Sequence, residues 1–194
     1  ILLLYGLFNL SFLFFIKYLG NIFIDIPNKR GSHKKKTPSG AGIIISIFSS
    51  ILNLNQSYNP FMISLPLSIV GLLDDKSEVK SSIRYISQAL TITFILLLSS
   101  QFNIIVEYLN NNIFLTIFIL SQILIGTSLI NFTNFLDCLD GLIVSSTLIV
   151  FITLSFDNPK LIPFVVGLAS LLNWNWSLAK TFMGDSGSTF IGAI

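Results

Sequence analysis

The chain has 194 residues, of which 53% are hydrophobic and 10% charged, with a mean hydropathy of +0.81. Ordinary soluble domains carry about 25% charged residues, so this composition excludes a soluble globular fold. The formal net charge of +2 is too small to argue for nucleic acid, and the single Cys138 excludes an internal disulfide.

Apolar runs lie near 1–18, 84–100, 112–130, 141–156 and 161–178, several close to the roughly 20 residues a helix needs to cross a hydrocarbon core. The first lacks the basic start and small-residue cleavage site of a signal peptide. Two shorter runs, 41–54 and 60–73, read as tilted spans or a re-entrant pair, with Pro66 expected to kink the second. An eighth run begins near Ser188 and stops at Ile194. The expected fold is therefore all-α: a polytopic integral membrane helical bundle of about eight spans. Residues 1–194 form one transmembrane domain, expected to be truncated at both ends because the chain starts with Ile and stops inside an apolar segment.

Counting spans puts Lys17, Lys29, Arg30, Lys34, Lys35, Lys36, Lys76, Lys80, Arg84 and Lys180 on one side and only Lys160 on the other. The positive-inside rule makes the basic side cytoplasmic. Seven of the nine carboxylates fall at span ends on that same side: Asp25, the cluster Asp74, Asp75 and Glu78, the pair Asp137 and Asp140, and Asp185. Carboxylates at a helix C-terminus oppose the macrodipole by roughly 0.3–1 kcal/mol each. Asp74 and Asp75 therefore call for a cation, either a nearby Lys or Arg or a divalent metal. Asn131, Asn134, Asp137 and Asp140 recur every third residue, which makes them neighbours on one helical face or tight turn. Asp185 or Ser186 can cap the last helix, and the same geometry points free N–H groups at a phosphate. The longest polar loop, residues 25–42, carries Arg30, His33 and Lys36 and reads as a shaped holder for a phosphorylated ligand near the lipid surface.

These motifs, in this order, resemble the polyprenyl-phosphate N-acetylhexosamine-1-phosphate transferases (glycosyl transferase family 4). The residues that carry the resemblance are Asp25-x-Pro27-x-x-Arg30-x-Ser32-His33, Thr37-Pro38-x-Gly40-x-Gly42, Gly71-x-x-Asp74-Asp75, Asn131-x-x-Asn134-x-x-Asp137-x-x-Asp140-Gly141-Leu142, and Phe182-Met183-Gly184-Asp185-Ser186-Gly187-Ser188. The resemblance implies a multi-pass bacterial inner-membrane enzyme with its active site on the cytoplasmic face. Such an enzyme transfers a sugar 1-phosphate from a UDP-N-acetylhexosamine to polyprenyl phosphate with Mg²⁺, or Mn²⁺ in its place, and a homodimer is compatible with it. By the same resemblance Asp185 is the principal metal ligand. Asp74 and Asp75 support the metal or position and deprotonate the acceptor. Asn134 and the catalytic-site Asp137 contact the nucleotide, Leu139, Asp140 and Phe182 form the uracil pocket, and Lys36 meets the diphosphate with Arg30 and His33 nearby. Glu78 and Cys138 depart from the usual pattern, and the His-rich loop expected downstream is absent.

Two rival readings are weaker on the residues. Asp137-x-x-Asp140-Gly141 opens the CDP-alcohol phosphotransferase signature, but Val144-Ser145 stands where that family continues with Ala-Arg. A cation transporter would place its acids near the middle of spans, whereas these lie at span ends.

Overall fold

The computed structural model describes residues 1–27, 35–109 and 112–194. Helix α1 (Leu2–Phe14) runs into a π-helical turn, Phe15–Leu19. Two short strands follow, β1 (Ile24–Asp25) and β2 (Thr37–Pro38), which pair antiparallel with Asp25 opposite Thr37. The remaining helices are α2 (Gly42–Leu52), α3 (Pro60–Lys76), α4 (Ser81–Leu98), α5 (Ser100–Tyr108), α6 (Asn112–Leu136), α7 (Leu142–Asp157), α8 (Ile162–Asn175) and α9 (Gly184–Ala193). In lipid a backbone must satisfy its own N–H and C=O groups, so each of the eight expected apolar runs forms a helix. Helix α5 is an addition to those runs: Phe102 buries itself and anchors a helix there.

The all-α membrane fold is thus the one expected, but the helices differ in reach. Leu2–Leu19, α4 and α6 are long and apolar enough for a full crossing. Helix α2, with 11 residues, rises only about 16 Å at 1.5 Å per residue, roughly half a hydrocarbon core. Helix α3 begins with Asn59 accepting from the Met62 N–H and Pro60 at its first position, both favourable at a helix start. It continues through Pro66 without ending there.

Two apolar clusters hold the bundle. The larger joins α1, α2, α3, α7, α8 and α9 through Phe8, Ile45, Phe61, Val144, Phe164, Leu171 and Phe190. Phe61 and Phe164 stand 5.1 Å apart, and Phe151 meets Phe164 edge-on at 4.7 Å, an arrangement that adds about 0.5–1.5 kcal/mol beyond area burial. The smaller cluster joins α3, α4, α6 and α9 through Leu67, Ile92, Ile130 and Ala193. A reciprocal amide pair, Gln88 with Asn131, ties α4 to α6. The outward face of α6 (Phe114, Ile117, Leu120, Leu124) is exposed, as an apolar surface meeting lipid tails would be.

The short α9 sits among α2, α3 and α6. It gets close because small residues face it, the device membrane bundles use to bring backbones together. A Cβ on Gly42 would stand 2.2 Å from the Cα of Gly187, and one on Gly71 would stand 2.4 Å from the Asp185 carbonyl oxygen. Serines complete the seam: Ser68 donates to the Ser186 carbonyl at 2.7 Å and shares a 2.8 Å hydrogen bond with Ser46.

Candidate active site

Four carboxylates gather where α3, α6 and α9 meet, beyond the apolar parts of those helices. Asp74 and Asp75 occupy the last turn of α3, Asp137 follows the end of α6, and Asp185 lies in the first turn of α9. Successive helical residues point about 100° apart, and the two α3 acids separate accordingly. Asp74 meets Arg84 of α4 at 2.8 Å and accepts from the Val79 N–H at 2.7 Å. The cation that a carboxylate at a helix C-terminus requires is therefore Arg84. Asp75 turns the other way, accepting from Ser39 Oγ and from the backbone N–H groups of Asp185 and Ser186.

Asp185 links three of the sequence motifs. Its Oδ1 accepts from Asn134 Nδ2 at 2.8 Å, while Asn134 also donates to Ser188 Oγ at 3.0 Å. On its other side Asp185 lies beside Asp74, whose carboxyl helps to raise it. The three-residue register after the apolar run divides in use. Asn131 serves packing against Gln88, Asn134 reaches Asp185, and Asp137 and Asp140 lie in the turn after α6 has ended at Leu136.

The electrostatics follow from crowding acids away from water. Burial pushes Asp185 up to about 6, with Asp74 adding to the rise and Asn134 and Arg84 opposing it. Burial pushes Asp75 up to about 7; the N–H donors oppose this and the charge of Asp185 reinforces it. Burial and the charges of Asp185, Asp75 and Asp140 hold Asp137 well above the usual carboxylate range. All three raised values mean that the folded chain binds more protons than the unfolded one between about pH 4 and pH 7, so stability falls as pH rises through that window. Without divalent cations the protein is expected to melt at a lower temperature at pH 7.5 than at pH 5. Thermal unfolding in detergent across this range checks it, and a melting temperature that climbs steadily from pH 5 to 7.5 without metal would contradict it.

The other expected site residues are distributed around this centre. Leu139 and Asp140 line an open cleft with Trp176 and Ser177, and Asp140 accepts from the Ala179 N–H at 3.4 Å. Trp176 lies against Gly141, where a Cβ would stand 2.9 Å from the indole. Phe182 is not among the residues lining that cleft; its N–H donates to the Pro38 carbonyl and its own carbonyl accepts from Ala41. Lys36 is exposed, two residues before Pro38. Arg30 and His33 lie outside the described residues.

Ser39, Arg84 and Trp176 were not singled out as site residues by their sequence context. Arg84 carried a usable signal: with Ser87, Gln88 and Thr91 it makes a polar stripe at helical spacing along an otherwise apolar α4. Arg84, Ser87 and Gln88 line a narrow cavity that Asp74, Asp185 and Thr189 close from the other side.

Comparison with known proteins draws on the same segments. The family model described as glycosyl transferase family 4 matches residues 58–194. The chain belongs to glycosyl transferase family 4. It is 31% identical over 171 residues to the undecaprenyl-phosphate alpha-N-acetylglucosaminyl 1-phosphate transferase of Thermotoga maritima, covering 88% of this chain and 54% of that relative. Against the phospho-N-acetylmuramoyl-pentapeptide-transferases it is 26% identical over 184 residues for Kosmotoga olearia and 31% over 193 for Petrotoga mobilis. Each match covers 84% of this chain, with 59% of the first relative and 60% of the second. The chain therefore spans between about half and three fifths of the length of these relatives. The family match takes in all four clustered acids but not the loop that carries Lys36 and Ser39.

Proposed function

We propose that this chain carries the catalytic centre of an enzyme that transfers a sugar 1-phosphate from a UDP-N-acetylhexosamine to polyprenyl phosphate on the cytoplasmic face of a bacterial inner membrane. The observation that carries the reading is that Asp74, Asp137 and Asp185, from three motifs far apart in sequence, come together where α3, α6 and α9 meet. Its family membership and the two kinds of named relatives support the same chemistry. The ten-to-one distribution of basic residues supports the orientation.

In this reaction an oxygen of the lipid phosphate attacks the sugar-linked phosphorus. A new P–O bond forms, the diphosphate P–O bond breaks, and UMP leaves. Mg²⁺, or Mn²⁺, is commonly held by one or two carboxylates together with substrate phosphates and water. Asp185 and Asp74 are the adjacent carboxylates that would hold it. When bound, the ion neutralises charge on the diphosphate.

The chain's own residues have distinct tasks in this reading. Asn134 fixes the rotamer of Asp185, and Arg84 holds Asp74 in place against it. The acceptor phosphate loses its second proton with a pKa of about 6; where it still carries that proton, Asp74 and Asp137 are the carboxylates offered to receive it. Asp74 is already engaged by Arg84 and Val79, whereas no hydrogen bond to the Asp137 side chain is present among the described residues. Asp137 is thus the less engaged of the two, and it can accept only where it has lost its own proton, which burial and the charges of Asp185, Asp75 and Asp140 hold in place to higher pH. The cleft of Leu139, Asp140 and Trp176 offers an aromatic face and a carboxylate to a nucleobase.

The test is transfer of label from a panel of UDP-sugars to polyprenyl phosphate by the full-length protein in nanodiscs, read by thin-layer separation of the lipid. The expected result is chelator-sensitive labelling with one UDP-N-acetylhexosamine and stoichiometric UMP. Folded protein that labels no lipid with any of them would end the proposal.

A further inference from the structure

The first N–H groups of any helix have no carbonyl partner within it and need another acceptor. Helix α9 has Met183 at its cap position, and no side chain there accepts. The acceptor comes instead from the end of α3, on the far side of more than 100 residues of chain. Asp75 Oδ1 takes the Asp185 N–H at 3.0 Å and Oδ2 takes the Ser186 N–H at 3.2 Å, while Ser39 Oγ donates to Oδ1 at 3.1 Å. Three of the roughly four acceptor sites of a carboxylate are then in use.

The backbone also closes around this carboxylate. Gly184 has φ +74°, and a Cβ there would stand 2.5 and 2.6 Å from the two Asp75 oxygens. Gly40, with φ +88°, would bring a Cβ within 3.2 Å of Oδ2. A Mg²⁺ ion needs an open approach to oxygen at about 2.0–2.1 Å, and two glycine backbones and three donors occupy the surroundings of this group. Asp74, one residue earlier, has a different set of partners, Arg84 Nη1 on Oδ2 and the Val79 N–H on Oδ1.

We propose that Asp75 is the N-cap of α9, a positioning residue that aims Asp185 into the site through the backbone of α9 and is itself neither metal ligand nor base. The transferase reading supplies the functional consequence; the cap itself stands on the geometry alone. Because the Asp185 amide is one of the two it holds, losing the cap moves the residue whose side chain meets Asn134 and Asp74. Ser39 and Gly40, just before α2, thereby become parts of the same device.

The test uses full-length protein in nanodiscs and begins without metal. Hydrogen–deuterium exchange over residues 183–190 is expected to quicken about tenfold or more in Asp75→Asn, as losing a hydrogen bond to a charged group would do. It should quicken less in Ser39→Ala and stay unchanged in Asp185→Asn. Unchanged exchange in both Asp75→Asn and Ser39→Ala overturns the cap. If Asp75→Asn does not fold, Ser39→Ala alone decides it.

Mn²⁺ titration followed by electron paramagnetic resonance gives a reading that a loss of folded protein would not imitate. Asp75→Asn is expected to keep the wild-type number of Mn²⁺ sites per chain with affinity lowered by about ten- to a hundredfold, as for groups that orient a ligand. Loss of all binding, matching Asp185→Asn, would make Asp75 a ligand and overturn the proposal. Sugar-phosphate transfer by the wild-type protein is assayed in parallel. If it is absent, the transferase reading falls, while the exchange result still decides the cap.

Discussion

An Asp185→Asn enzyme is expected to lose more than about a hundredfold of its transfer rate, the upper end of the cost of disturbing a group that only orients a metal ligand. The substitution is nearly isosteric, and an Asn oxygen can still accept from Asn134 Nδ2, which now lies 2.8 Å from Asp185 Oδ1. What disappears is one negative charge from a cluster in which burial and Asp74 already hold Asp185 up at about 6. Relieving that repulsion is expected to raise the melting temperature of the metal-free protein at pH 7.5, so that activity and stability move in opposite directions, as they often do at strained active sites. Labelled transfer and thermal unfolding of the same preparation check both halves. A variant with the wild-type rate would remove Asp185 from the proposed metal site.

The second large effect is expected from Gly71→Ala, a change of one methyl group one turn before Asp75. That methyl would stand 2.4 Å from the Asp185 carbonyl oxygen and 2.7 Å from the Ser186 nitrogen. These are backbone atoms of another helix and cannot rotate aside. Overpacking of this kind costs about 1–3 kcal/mol, and a shift of about 1 Å in a catalytic group is enough to cost about a hundredfold in rate. Gly6→Ala, in α1 with nothing within 4 Å of the added atom, is the matched comparison and should leave both rate and melting temperature near wild type. Equal behaviour of the two variants would mean that α3 and α9 do not approach as closely as described.

The motif Gly71-x-x-Asp74-Asp75 therefore contains three different requirements. Gly71 permits the crossing, Asp74 meets Arg84 and Asp185, and Asp75 receives the α9 amides. Spacing alone shows that adjacent acids on a helix diverge, but it does not say what each one faces. The every-third-residue series shows the same limit. Asn131 and Asp137 look equivalent as text, but one packs against Gln88 in the bundle and the other lies past the helix end among carboxylates. The cut between them is the end of α6 at Leu136. The compensating cation was legible only as a nearby Lys or Arg or a divalent metal, and Arg84 reaches Asp74 because α4 turns it back toward α3.

Local chemistry written along the chain settled the solvent, the helices and the end of the bundle where the acids collect. Apolar runs in lipid leave the backbone no alternative to a helix, and charged residues stay near the ends of those runs. Which acid touches which partner was decided only when α9 packed among α2, α3 and α6. That packing depends on the absence of side chains at Gly42, Gly71 and Gly187, and close approach between distant backbones is a property of three dimensions that a one-dimensional pattern does not record.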